Sequence, residues 1–126
     1  DQHFAFGNFV ADAIARRSIV VRGDGTPRRS YLYASDLARW LWALLARGVS
    51  GRAYNVGSDV AVSIAELARE VGRIGGVGVE VLGTPTPGVA PPRYVPAIDR
   101  ARSELGLDVH VDLATAIQKT LAWNQP

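Results

Sequence analysis

Arginine is the residue type through which this sequence could bind a ligand. The 126-residue chain carries 14 Lys and Arg against 12 Asp and Glu, and Lys119 is its single lysine. The planar fork of arginine is well suited to phosphate oxygens. A net charge of +2 with a pI near 9.4 therefore indicates at most a small anionic ligand. The alternative for any one arginine is a solvated surface position or an ion pair, such as Arg29 with Asp36.

The glycine and lysine patterns do not match the known nucleotide-binding loops. A dinucleotide-binding loop follows a strand and opens a helix, whereas the glycines between positions 72 and 78 follow a predicted helix and precede a predicted strand. A phosphate-binding loop requires Gly-Lys-Ser/Thr, and Lys119 is preceded by Gln118. Neither loop is predicted in this chain.

Histidine, cysteine and serine show no catalytic or metal-binding pattern. His3 and His110 are far apart in sequence and have no spaced partners, which favours surface histidines. The chain has no cysteine, so disulfides, thiolate zinc sites and cysteine nucleophiles are excluded. A Gly-x-Ser-x-Gly nucleophile elbow is also absent. We expect no catalytic residue and no metal ligands in this chain.

The hydrophobic spacing predicts alternating helices and strands, which is typical of a single α/β domain over residues 1–126. Ser63-Ile64-Ala65-Glu66 matches the capping box that begins a helix. Residues 83–96 hold five prolines and are predicted to form a long loop, and a loop of this length favours a functional role. The predicted helices cover residues 4–17, about 35–48 with Ser35 or Asp36 as the cap, 64–75, 99–105, and 112–123 capped by Asp112. The predicted strands cover residues 19–21, 30–33, 53–56 and 79–82.

Length and composition add three expectations. A chain of this size with 48% apolar residues forms one modest core. It contains no methionine and begins at Asp1 within an apparent helix, so we expect a fragment of a longer protein. Neither a signal peptide nor an apolar run of membrane-spanning length is present. We therefore expect a cytoplasmic protein with no membrane partner.

Six segments of the chain, taken in order, resemble one protein family. They are similar to the C-terminal portion of the extended short-chain dehydrogenases/reductases, the NAD-dependent epimerase/dehydratase family that acts on nucleotide-activated sugars. The segments are HFAFGNFV at 3–10, IVVRGDG at 19–25, RRSYLY at 28–33, YNVGS at 54–58, SIAEL at 63–67 and ARSELG at 101–106.

The resemblance implies a two-part parent enzyme. Its N-terminal Rossmann domain would bind NAD and carry a Tyr-x-x-x-Lys pair, which this chain cannot supply because Thr115 stands four places before Lys119. This chain would be the small C-terminal α/β domain, with short strands and about five helices and without the dinucleotide-binding core. It would bind the nucleotide sugar, would be inactive alone, and would belong to a homodimeric parent.

The resemblance also implies which residues contact the substrate. Asn8 would meet the nucleotide diphosphate region, the strand at 19–21 would flank the nucleobase, and Arg29 and Arg93 would contact the diphosphate. The implied substrate-binding residues are Asn8, Ile19, Val20, Val21, Arg29 and Arg93. Ser30 and Ala97 stand where many members of the family have Asp, so the exact substrate is left open.

Two other functions compete with this interpretation. Residues 63–72 are similar to the first helix of a helix-turn-helix, but a glycine turn and a strand are predicted where the recognition helix should follow. A noncatalytic module that binds nucleotide sugars or another protein is the second alternative. The sequence leaves open whether the parent epimerises, dehydrates or reduces its substrate.

Overall fold

Five helices and five short strands form an α/β fold in a computed structural model that describes residues 4–124. The predicted fold class and the number of helices are confirmed, while His3 lies outside the described residues. The helices are α1 (Ala5–Ile14), α2 (Ala34–Arg47), α3 (Ile64–Gly75), α4 (Asp99–Leu105) and α5 (Leu113–Trp123). The strands are β1 (Ile19–Val21), β2 (Arg28–Arg29), β3 (Val62–Ser63), β4 (Val79–Val81) and β5 (Arg93–Tyr94).

The strands form two small sheets. β1 pairs with β4 in parallel, and the second sheet has the order β3-β2-β5. In that sheet β2 is antiparallel to β3 and parallel to β5. Since each strand has only two or three residues, the helices must supply most of the packing that holds the sheets in place.

The larger core lies where α1, α3 and α5 pack against β1. Ile19, Leu67, Val71 and Ile117 are fully buried there, and burying one such side chain contributes about 1.5–3 kcal/mol. A Cβ at Gly72 would lie 2.5 Å from Cγ2 of Val79. The glycine is therefore what lets α3 approach β4 so closely.

Two of the three predicted helix caps are confirmed. The Ser63 hydroxyl accepts from the Glu66 N–H at 3.1 Å, and the Glu66 carboxylate accepts from the Ser63 N–H at 2.7 Å, which completes the capping box. Asp112 accepts from the Thr115 N–H at 2.9 Å and caps α5. Each cap satisfies backbone donors that the first helical turn cannot pair.

The predicted cap of α2 is wrong. The helix begins after Tyr33, with no side-chain cap, so neither Ser35 nor Asp36 fills that role. The Asp36 carboxylate instead accepts from the backbone N–H groups of His110 and Val111. This contact bridges segments far apart in sequence, and local patterns cannot reveal it.

A smaller core surrounds Trp40 of α2. It includes Ile98, Ala101 and Leu105, with Tyr54 and Val56 among the half-buried residues packed against it. The Trp40 indole N–H donates to the Asp108 carbonyl at 3.1 Å. This core joins α2 to α4 and to the chain around position 55.

Three predictions about strands differ from the structure. The strand predicted at 30–33 lies earlier, at Arg28–Arg29, and the loop predicted at 83–96 contains β5. Residues 53–56 form no strand. A strand exists only when a neighbouring strand accepts and donates its hydrogen bonds, and among the described residues no strand lies beside 53–56.

Candidate functional site

The outer edge of β1 presents unpaired backbone groups. The Ile19 N–H donates to the Gly78 carbonyl at 2.9 Å, and the Val21 carbonyl accepts from the Leu82 N–H at 2.9 Å. Alternate residues of a strand direct their polar groups to opposite edges, so the N–H and C=O of Val20 face away from β4. Within residues 4–124 no strand pairs with that edge.

A cleft of ≈ 770 Å³ lies along this edge of β1. Its walls are α1, β1 with the turn that follows it, and the start of α3. The predicted residues Asn8, Val20 and Val21 line it, whereas Ile19 is fully buried in the core and supports the strand from behind. The lining residues with polar side chains are Asn8, Asp12, Arg17, Ser18, Arg22 and Asp24.

One face of α1 forms the wall opposite β1. Ala5, Asn8 and Asp12 are spaced three and four positions apart, which puts them on a single helical face. The Nε and Nη2 atoms of Arg17 donate to Oδ1 of Asp12 at 3.1 and 2.8 Å. The Asn8 side chain is exposed, so its amide is free to meet a ligand in the cleft.

The Gly-Asp-Gly turn after β1 forms the floor of the cleft. Asp24 accepts from the Thr26 N–H at 3.0 Å and from its hydroxyl at 2.9 Å, which fixes the turn locally. Gly25 has φ +71, and a Cβ there would lie 2.6 Å from the Cβ of Ala65. The turn therefore packs directly against the start of α3 and leads into β2.

Arg29 and Arg93 lie in the three-stranded sheet, and neither lines the wall of the cleft. Arg29 is half-buried and its Nη1 donates to the Arg28 carbonyl at 2.9 Å. The ion pair of Arg29 with Asp36 is not formed; the Asp36 carboxylate lies 3.5 Å from the Arg39 guanidinium.

The strand register separates the two predicted diphosphate contacts. Arg28 stands beside Arg93, and Arg29 stands beside Tyr94. Because successive residues of a strand alternate between faces, Arg29 and Arg93 belong to opposite faces of the sheet. Arg28 also lies 3.9 Å from the Glu66 carboxylate, so the face with Arg93 already contains one balanced charge pair.

Sequence reasoning did not identify four charged residues of the cleft. Asp12, Arg17, Arg22 and Asp24 line it, and their formal charges cancel. Two signals were available: Asp12 stands four residues after Asn8 on the same helix, and Arg22 and Asp24 lie in the segment at 19–25 that resembles the family. Arg17 lines the cleft beside Asp12 and gave no such signal.

The environment of Tyr31 indicates a packing role. Burial raises its pKa above the ordinary value of 10.0, and the nearby Arg29 guanidinium partly opposes this rise. Its ring lies 5.7 Å from the ring of Phe6, between ring centroids. Tyr31 is thus a neutral tyrosine that packs against α1.

Residues 4–124 contain no glycine loop of the dinucleotide-binding kind. A pyrophosphate site needs glycines between a strand and the start of a helix, but here Gly75 and Gly76 end α3 and lead into β4. Over residues 4–124 there is also no group of three His, Cys, Asp or Glu residues that could hold a metal ion. Nor does any helix in that range have the length and apolar character needed to cross a membrane.

A second cleft, of ≈ 520 Å³, lies at the carboxyl ends of α1 and α3, where α5 passes. None of the six predicted residues lines it. Its charged lining residue, Arg16, is occupied by a 3.3 Å hydrogen bond from Nη1 to the Gly75 carbonyl. The cleft beside β1 is therefore the better candidate for a ligand site.

Sequence comparison relates this chain to enzymes of nucleotide-sugar metabolism. The model of the NAD dependent epimerase/dehydratase family matches residues 4–57. UDP-glucuronic acid decarboxylase 1 of Xenopus tropicalis is 32% identical over 114 residues, which are 90% of this chain and 27% of the relative. A probable dTDP-glucose 4,6-dehydratase of Sinorhizobium fredii is 27% identical over 125 residues, covering 90% of this chain and 35% of the relative.

Solved structures show the same relationship. The Bordetella bronchiseptica enzyme WbmF, in complex with NAD+ and UDP, superposes with a TM-score of 0.84 at 26% identity. The superposition covers 97% of this chain and 36% of WbmF, so the chain spans about a third of that enzyme. Together with the segments quoted above, these matches identify the chain as part of a member of the NAD-dependent epimerase/dehydratase family, the extended short-chain dehydrogenases/reductases.

Proposed function

We propose that this chain is the nucleotide-sugar-binding part of an NAD-dependent epimerase or dehydratase, and that the cleft beside β1 holds the nucleoside end of the substrate. The observation that carries the proposal is the unpaired edge of β1, which faces a cleft opposite the free amide of Asn8. A bound UDP in the related WbmF is consistent with this ligand class.

The unpaired edge of β1 suits a nucleobase. Val20 offers one N–H donor and one C=O acceptor side by side, and each base carries an adjacent acceptor and donor on its pairing edge. This hydrogen-bonding pattern is compatible with several bases, so selectivity for one base must depend on the side chains that surround it. Asn8 adds two donors and an acceptor, which suit a ribose hydroxyl or a phosphate oxygen.

Arg29 is the proposed contact to the diphosphate. It lies in β2, which follows the turn that forms the floor of the cleft, and no carboxylate of residues 4–124 forms an ion pair with it. The diphosphate carries about two negative charges, and one charge-assisted hydrogen bond contributes about 1.5–3 kcal/mol. Arg93 is the proposed second contact. It lies in β5 at the edge of the sheet, so its side chain would have to reach around that edge.

The reaction itself belongs, in this proposal, to the NAD-binding part of the parent, where NAD would accept and return a hydride. The residues described here bind and orient the nucleotide sugar, and the chain alone would be inactive. We also propose that the parent is a homodimer, as the family resemblance implies, and that it is cytoplasmic.

Calorimetry with UDP, dTDP, GDP and CDP tests the site, using both this chain and its parent enzyme. We expect at least one diphosphate to bind, and Arg29→Ala to weaken that binding roughly tenfold or more. Arg47→Ala, at the exposed end of α2, is the matched control and should leave the affinity unchanged. Equal affinities for the Arg29→Ala and unsubstituted parent, or no binding of any diphosphate to the parent, would overturn the proposal.

A further inference from the structure

Asp24 and Gly25 form the one Asp-Gly pair of the sequence, which has no Asn-Gly pair. An Asp-Gly bond is prone to rearrange without an enzyme, because glycine has no side chain to shield its backbone nitrogen. In the turn that forms the floor of the cleft, the Gly25 N–H donates to no backbone acceptor in residues 4–124. A free backbone nitrogen and a carboxyl group are therefore neighbours at this point of the cleft.

The rearrangement of such a pair proceeds through a succinimide and needs only water. The Gly25 nitrogen bonds to Cγ of Asp24 and loses its proton, while the carboxylic acid gives up its OH, which leaves as water with that proton. A water molecule then opens the ring at either carbonyl, which restores aspartate or produces isoaspartate. In isoaspartate the main chain runs through Cβ and Cγ, so the backbone is longer by one carbon–carbon bond, about 1.5 Å.

Thr26 binds both oxygens of the Asp24 carboxylate. Its N–H donates to Oδ1 at 3.0 Å and its hydroxyl donates to Oδ2 at 2.9 Å, so an Asx-turn is reinforced by a second hydrogen bond. Whichever oxygen departs must first give up its donor. Ring closure must also carry Cγ of Asp24 onto the Gly25 nitrogen and away from Thr26. The closed turn therefore opposes succinimide formation.

The backbone of the turn is held from two sides. The Ala65 N–H, at the start of α3, donates to the Gly25 carbonyl at 2.9 Å, and the Gly83 N–H donates to the Gly23 carbonyl at 3.1 Å. A Cβ on Gly83 would lie 2.5 Å from the backbone nitrogen of Asp24. Because its neighbours on both sides are in close contact, the turn has no space for an additional backbone atom.

We propose that the Asp24–Gly25 bond is a site of spontaneous isoaspartate formation, and that the hydrogen bonds which close the turn keep it unreactive. The rearrangement then requires a local opening of the turn, and such openings cost less free energy than global unfolding. Once isoaspartate forms, the longer backbone no longer fits between α3 and Gly83, and the floor of the cleft is lost. Neither the site nor its protection depends on which ligand the cleft binds.

Ageing the parent enzyme near neutral pH tests the site without any variant. A synthetic peptide of residues 19–30 is the reference in which the turn is open. After digestion of the aged protein, chromatography separates the isoaspartate peptide from the aspartate peptide of equal mass. We expect the synthetic peptide to accumulate isoaspartate and the parent to do so roughly tenfold or more slowly. A synthetic peptide that forms none would overturn the site, and equal rates would overturn the protection.

Thr26→Val tests the hydroxyl alone, since valine keeps the branched shape and the backbone N–H. We expect the variant parent to form isoaspartate roughly threefold or more faster, because one hydrogen bond to the carboxylate is lost. Thr26→Ser retains the hydroxyl and should age like the unsubstituted parent. Thr86→Val is the matched control, because Thr86 is exposed and distant in sequence from the bond. Equal rates for Thr26→Val and Thr86→Val would overturn the role of Thr26. If Thr26→Val does not fold, the comparison of parent and peptide decides.

The isoaspartate form of the parent, separated by ion exchange, tests the fit of the turn. Its Ala65 N–H should exchange with solvent much faster than in the aspartate form, because the Gly25 carbonyl that accepts it is displaced. The Thr115 N–H, which donates to Asp112 at the start of α5, is the control and should exchange equally in both forms. Equal exchange at Ala65 in the two forms would show that the turn accommodates the longer backbone, and would overturn the loss of the cleft floor.

Discussion

The Asp36 carboxylate accepts a 2.8 Å hydrogen bond from the backbone N–H of His110, 74 positions further along the chain. The same oxygen accepts from the Val111 N–H at 2.9 Å, and the side chain is 1% exposed. This buried carboxylate, with its two backbone donors, joins α2 to the segment that leads into α5. This contact closes one side of the smaller core.

Removing this acceptor should destabilise the fold. We expect Asp36→Ala to lower the free energy of unfolding by about 1.5–3 kcal/mol, because two buried N–H groups lose their partner. Asp36→Asn keeps an acceptor and should cost less. Urea unfolding measures both, with Arg39→Ala as the control for the exposed partner at 3.5 Å. An Asp36→Ala chain as stable as Arg39→Ala would contradict this role.

We expect the capping box to make the free energy of unfolding depend on pH in the acidic range. Hydrogen bonds from the backbone N–H and then the hydroxyl of Ser63 hold the pKa of Glu66 below its ordinary 4.5. Because the pKa of Glu66 is lower in the folded chain, the unfolded chain binds the proton more readily. The stabilisation of the folded state by the Glu66 carboxylate is therefore complete above pH 4.5 and is lost as the pH falls through the folded pKa.

Glu66→Gln isolates this acid dependence, since glutamine retains the capping geometry without titrating. Unfolding measured between neutral pH and about pH 3 should show a shallower loss of stability in the variant. Glu80→Gln removes an exposed carboxylate from β4 and controls for the change in net charge. If Glu66→Gln loses stability as steeply as the unsubstituted chain, the carboxylate is not the titrating group.

The turn that floors the cleft should not tolerate a side chain at Gly25. Gly25→Ala should lower the free energy of unfolding by about 1–2 kcal/mol because the backbone there is left-handed. Crowding of the new Cβ against Ala65 should lower it by about 1–3 kcal/mol more. Gly51→Ala is the matched control, because Gly51 has φ +75 with nothing within 4 Å and should show the backbone term alone. Urea unfolding should also show that Ala65→Gly relieves part of the Gly25→Ala loss.

Proline at position 20 should separate ligand binding from folding. The Val20 N–H takes no part in the β1–β4 ladder, so Val20→Pro removes a donor to the ligand while the ladder remains. We expect at least a fivefold loss of nucleotide diphosphate affinity at nearly unchanged secondary structure. Val20→Ala keeps the N–H and should bind normally, whereas Val21→Pro breaks the ladder and should unfold the chain. Unchanged affinity in a folded Val20→Pro chain would place the ligand elsewhere.

Local patterns were sufficient wherever the cause of a structure is local. The Ser63–Glu66 capping box, the Asp112 cap and the spacing of apolar residues in α4 and α5 each arise within one or two turns of chain. The segments at 3–10 and 19–25 likewise contained the residues that meet across the cleft, because α1 and β1 are consecutive elements.

Sequence patterns did not predict contacts between residues that are distant along the chain. Residues 53–56 have the composition of a strand, yet among residues 4–124 no strand lies beside them to supply the hydrogen bonds that a strand needs. The sequence predicts an irregular loop around Arg93, but Arg93 and Tyr94 form β5, which pairs with β2 as the third strand of the sheet. The same register then places Arg29 and Arg93 on different faces, which no spacing along the chain could have shown.

The order and chemistry of neighbouring residues were enough to predict the alternation of helices and strands, the caps at Ser63 and Asp112, and the family. Two features became visible in the folded chain alone: the free edge of β1 faces Asn8 across a cleft, and Asp36 binds the backbone N–H groups of His110 and Val111 instead of capping its own helix. The physical reason is that hydrogen-bond partners and packed faces are chosen by proximity in space, which the chain reaches only after its elements have docked.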